Sequence, residues 1–233
     1  MTSHQILEKL HSLANPANVE GMARYGISSI NTLGVSMKTL RTMAKELGKN
    51  HHIASELWAS GIHEARILAA LIDEPQKVTG RQMDAWVKEI DSWDVCDQCC
   101  SSLFDKTLAA YEKAIEWSTR KQEFVKRAGF VLMAVLAVHD KKASDSRFLP
   151  FLLRIELEAD DERNFVKKAV NWALRQIGKR NLSLQRRAVT VAKNLMESRS
   201  PVARWIASDE LRELKNSKTL KRIQTKKAAA SSK

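Results

Sequence analysis

With 39 lysines and arginines against 27 acids, this 233-residue chain carries a net charge of +12, a balance that favours an anionic partner, nucleic acid being the commonest. Three cysteines, odd in number and clustered, argue against a disulfide framework, and the longest apolar run, about residues 129 to 138, is too short to span a bilayer. The first residues, MTSHQILEKLHSLANP, form an amphipathic pattern rather than a charged end followed by an apolar run, so the expected setting is the reducing cytoplasm.

Glycine (8) and proline (4) are scarce, and apolar residues recur at spacings of three and four. QILEKLHSL places Ile6, Leu10 and Leu13 on one stripe. SMKTLRTMAKEL does the same with Met37, Leu40, Met43, Ala44 and Leu47 behind Ser36 as N-cap. Short punctuation follows at 61–62, 74–80, 141–146, 158–163 and 198–201, which predicts roughly a dozen helices packed as antiparallel neighbours. FVKRAGFVLMA (124–134) and FVKKAVNWALR (165–175) share Phe-Val-Lys-basic-Ala and start 41 residues apart. That period lies in the ~40–47 range of HEAT-type helix pairs. The expected fold is all-α, a HEAT-like or ARM-like helical solenoid over residues 1–215 with a concave basic face suited to a duplex. The last segment, SKTLKRIQTKKAAASSK (217–233), holds Lys218, Lys221, Arg222, Lys226, Lys227 and Lys233 and no acid. From 216 onward a basic, disordered tail is expected, able to track phosphates.

The stretch SWDVCDQCC (92–100) gathers all three cysteines with Trp93, Asp94 and Asp97. Cys96, Cys99 and Cys100 share one helical face, as small core residues do, and no second Cys/His cluster completes a zinc site. Trp93 and Asp97 are four apart and lie side by side, on a face distinct from the one carrying Cys99. They read either as a core tryptophan with a surface acid or as a functional pair. Asp94 falls in the first turn, where the helix dipole favours a carboxylate. Lys126 and Arg127 in one repeat, and Lys167 and Lys168 in the other, stand where a helix can meet a phosphate. Trp172 and Arg175 share a face three residues apart. Arg127 sits in an otherwise apolar helix and must find an acid or open onto a charged ligand.

No Gly-rich phosphate loop, Ser-His-Asp signature or zinc helix motif occurs. A carboxylate, tryptophans and cations suffice for few reactions on DNA. One is hydrolysis of the N-glycosidic bond to an alkylated purine, a cationic base that leaves without a general acid. The carboxylate then stabilises an oxocarbenium-like sugar and holds water, while indole faces favour nearby positive charge.

The chain resembles the AlkD-like DNA alkylation repair family, the HEAT-like-repeat DNA glycosylases, over nearly its whole length. The matching elements, in order, are GMARYGI (21–27), LGVSMKTLR (33–41), ELWASGIHEARILAALI (56–72), SWDVCD (92–97), FVKRA (124–128), FVKKAVNWALRQ (165–176) and LSLQRRAV (182–189). The resemblance implies that Trp93, Asp97 and Trp172 flank the damaged nucleotide and that Arg127 and Arg175 lie near the DNA backbone; Lys126, Lys167 and Lys168 are further phosphate candidates from their place on the helices alone. It implies excision of N3- and N7-alkylated purines from duplex DNA, without metal or cofactor and without deep insertion of the base; a monomer is the expectation for a solenoid that wraps a duplex. Ser92 stands where the family carries an extra aromatic residue. Some members keep the fold and bind DNA structures without excising bases, which leaves a non-catalytic binder of bent or branched DNA as the alternative. A protein-interaction scaffold, the third reading, requires an apolar or acidic concave face.

Overall fold

Helix starts follow capping chemistry: Thr2, Asn15, Ser36, Asn50, Thr79, Asn181 and Ser200 each accept a backbone N–H from the first turn of the helix they precede. The computed structural model describes residues 1–231, with side chains to Thr225, and the described residues are all-helical, without a strand. None of their helices is long and apolar enough to cross a membrane.

The chain divides into two compact units. The first, Met1–Ala110, runs through α1 (Ser3–Ser12), α2 (Pro16–Ala23), α3 (Met37–Leu47), α4 (His51–Ala59), α5 (His63–Ile72), α6 (Gly80–Glu89) and α7 (Trp93–Ser102), then a 3-10 turn at Phe104–Lys106. Its centre is α5, packed against α3, α4 and α7. Ala65, Ala69 and Ala70 let those neighbours approach closely, so α5 is buried on nearly every side, including His63 and Glu64. Trp58 of α4 stacks on Trp86 of α6 with ring centroids 4.1 Å apart. Glu89 accepts the Trp58 indole N–H at 2.9 Å.

The second unit, Tyr111–Lys233, takes in all but the first residue of α8 (Ala110–Ser118), then α9 (Glu123–His139), a 3-10 turn at Asp145–Phe148, α10 (Leu149–Leu157), α11 (Asn164–Gly178), α12 (Leu182–Met196), α13 (Pro201–Leu214) and α14 (Ser217–Ser231). The internal similarity of the sequence is physical. The matching segments open α9 and α11, which pack along their length, and Phe124 meets Phe165 with centroids 5.6 Å apart. Residues 129–137 of the apolar run form the buried body of α9, and Val138 at its end is exposed. Gly129 allows α9 to touch the end of α8: a Cβ there would lie 2.5 Å from the backbone nitrogen of Ser118. Gly129→Ala should therefore cost about 1–3 kcal/mol, read as a fall in Tm, whereas an unchanged Tm would mean that α8 shifts freely.

The C-terminal segment departs from the sequence expectation. Instead of a disordered tail from 216, a helix runs from Ser217 and packs against α12 and α13. The reason is a short apolar stripe that the surrounding lysines obscure: Thr219 and Ile223 are buried and Leu220 half-buried, while Thr219 Oγ1 donates to Glu213 Oε1 at 3.2 Å. Lys233 and the side chains of Lys226 and Lys227 lie outside the described residues.

Candidate nucleic-acid interface

In the first unit, Trp93 is the first residue of α7 and Asp97 lies one turn on, both half-buried. The Trp93 indole N–H donates to the backbone carbonyl of Tyr25 at 3.1 Å. Ser92 is fully buried, and its hydroxyl accepts the Ser28 N–H at 3.0 Å rather than capping α7. The loop at 24–35 is thus tied to the start of α7 at two points.

A third tie is stronger. The fully buried Glu64 carboxylate of α5 accepts the consecutive N–H groups of Leu33, Gly34 and Val35 at 2.8, 2.6 and 3.2 Å. Gly34 makes this passage possible with φ +78° and a position where a Cβ would clash with the Asn15 carbonyl. The pinned loop leaves Tyr25 75% and Ile30 74% exposed. Tyr25 has no functional signal in the sequence, because its backbone contact with Trp93 spans 68 residues.

The N-terminus of α7 is held by His63, whose Nε2 lies 2.9 Å from Asp94 Oδ2. Burial works against the charged imidazole, but the hydrogen bond and charge of Asp94 outweigh it and raise the His63 pKa. Behind this turn Cys96, Cys99 and Cys100 are fully buried. Burial pushes the Cys99 and Cys100 thiols well up, so they stay protonated and act as packing rather than as nucleophiles.

In the second unit, Trp172 and Arg175 share a half-buried face of α11. Arg175 Nε donates to Glu210 Oε1 at 3.1 Å, and the same guanidinium pairs with Asp209, which also accepts from Asn171 Nδ2 at 2.8 Å. Lys168 is exposed, and Lys167 stands 5.8 Å over the ring of Trp205, itself 44% exposed. Lys126 and Arg127 are placed differently from a phosphate-gripping pair. Both are buried: Lys126 bridges Glu158 and Asp161 at 2.8 Å each, and Arg127 donates to the Phe165 carbonyl at 2.7 Å. Through that carbonyl Arg127 ties α9 to the start of α11.

Burial pushes the Glu210 carboxyl from an ordinary 4.5 up to about 8; Arg175 pulls it down and Asp209 pushes it further up. The folded state then keeps a proton that the unfolded chain has lost. This contribution to stability is full below about pH 4.5, declines as pH rises to about 8 and is flat above. His63, also raised, acts in the same direction. Glu210→Gln, neutral at every pH, should gain Tm relative to wild type between pH 5 and pH 8; melts showing a constant difference would assign the decline to other groups.

A family model described as DNA alkylation repair enzyme matches residues 6–228. An uncharacterised protein of Listeria innocua, Lin0241, is 24% identical over 199 residues, covering 84% of this chain and 87% of that one. A solved structure, described as a new family of proteins related to the HEAT-like repeat DNA glycosylases with affinity for branched DNA structures, superposes with a TM-score of 0.76 at 20% identity. That match covers 91% of this chain and 95% of the other, and gives the fold as HEAT-like.

Proposed function

The chain belongs to the DNA alkylation repair enzyme family, and on that premise we propose that it is a monofunctional glycosylase releasing cationic N3- and N7-alkylated purines from duplex DNA. The observation that carries this reading is the pair Trp93 and Asp97, one turn apart on α7 and both partly open to solvent, at a helix start fixed by Ser92, His63 and the pinned loop. Alkylation leaves the base positively charged and ready to depart. The enzyme's task is then to stabilise the sugar cation and place a water. Asp97 supplies the negative charge, and Trp93 supplies an electron-rich face beside it. On α11, Trp172 offers a second indole to the DNA, while Arg175, Lys167 and Lys168 neutralise phosphates. Asp209 and Glu210 orient Arg175 for that contact. Lys126 and Arg127 support it by holding α9 and its neighbours.

The test is to incubate the protein with DNA treated with a methylating agent and identify released bases by mass. N3-methyladenine and N7-methylguanine should appear without neutral O6-methylguanine. Release of neutral lesions at equal rate would contradict the charge-based mechanism. A second reading, a non-catalytic binder of branched DNA, is favoured by the affinity described for the related structure. It predicts binding without any released base.

A further inference from the structure

The function proposed above leaves α14 unused, and its surface has one sign of charge. Thr219, Leu220 and Ile223 face inward, whereas Lys218, Lys221 and Arg222 are exposed. The sequence contains no acid after Glu213. The neighbouring α12 also lacks acids from 182 to 196 and exposes Arg186, Arg187 and Lys193. α13, the other neighbour, does carry acids, but they are engaged within the unit. Asp209 pairs with Arg175 and Arg212, Glu210 is buried against Arg175, and Glu213 pairs with Lys179 and accepts from Thr219. Of the α13 acids, Asp209 and Glu213 are thus already paired, and burial holds Glu210 protonated below about pH 8.

A free tail of like charges needs no docking stripe, and a helix present only for packing needs no row of cations on its outer side. The combination fixes cations on a rigid element, where meeting a regular array of phosphates costs less ordering than it would for a flexible tail. We infer that the exposed face of α14, through Lys218, Lys221 and Arg222, is a phosphate-binding surface for the backbone of double-stranded DNA. It adds sequence-independent grip without entering the chemistry at Asp97. This rests on the reading of the protein as a DNA-binding enzyme.

The test is the salt dependence of binding to an undamaged duplex, measured by fluorescence anisotropy with the full chain. Each phosphate contact contributes about 0.9 to the slope of log affinity against log salt. The variant carrying Lys218→Gln, Lys221→Gln and Arg222→Gln should therefore lose roughly 2–3 from that slope and bind roughly tenfold more weakly at about 0.1 M salt. The variant carrying Lys218→Arg, Lys221→Arg and Arg222→Lys should keep the slope. A steep wild-type slope left unchanged by the glutamines overturns this inference alone. Loss of slope in the charge-conserving variant overturns it too, because packing rather than charge would be at work. Wild-type protein that binds no DNA, or binds it without salt dependence, overturns the underlying DNA-binding reading instead.

Discussion

Asp97→Asn should reduce base release from a duplex carrying a single N7-methylguanine by roughly 10²–10³-fold, about 3–4 kcal/mol of transition-state stabilisation. DNA affinity should stay within about threefold, because the charge matters only as the sugar becomes cationic. Asparagine keeps the size and a hydrogen-bonding oxygen but removes the negative charge. Single-turnover release and equilibrium binding, measured on the same duplex, separate the two effects. Undiminished release would remove Asp97 from the mechanism, and equal loss of binding and release would make its role one of DNA positioning.

Glu64→Gln should have the largest effect on stability, lowering Tm by roughly 10 °C, about 3–5 kcal/mol. The wild-type carboxylate is fully buried and serves three consecutive amides. Glutamine offers one oxygen and turns an amino group toward donors, leaving buried N–H groups without an acceptor. The loop at 24–35 should loosen, and with it the carbonyl of Tyr25 that receives the Trp93 indole. Thermal melts check the first effect and protease cleavage within 24–35 the second. A variant with wild-type Tm and an uncut loop would mean that the cost of burying the charge cancels its hydrogen bonds.

What the sequence makes legible is local. Ser36 caps its helix as read, Trp93 and Asp97 share α7, and the motif repeated 41 residues apart returns as two adjacent helices. Those features follow from spacings of three, four and one repeat, which the chain carries in its own order. The anchors of the candidate residues in each unit are different. Glu64 reaches back about thirty residues to an irregular loop, and His63 reaches forward 31 to Asp94. Arg175 finds its acids 34 and 35 residues on. Such partners are chosen by which helices pack together, and no periodicity announces them. Lys126 illustrates the error this invites: a lysine read as facing a ligand is closed off by the carboxylates of Glu158 and Asp161, 32 and 35 residues on. The C-terminal helix shows the reverse. Leu220 and Ile223 are too few to mark an amphipathic pattern among lysines, yet they suffice once α12 and α13 supply a surface.

The most direct test of the central claim sets wild-type protein, in excess, against one duplex with a single N7-methylguanine and one undamaged four-way junction. The account predicts time-dependent release of free N7-methylguanine from the duplex, leaving an abasic site, whatever the affinity for the junction. Tight junction binding with no base released from the duplex would contradict it and leave a DNA-binding protein that has kept the fold without the chemistry.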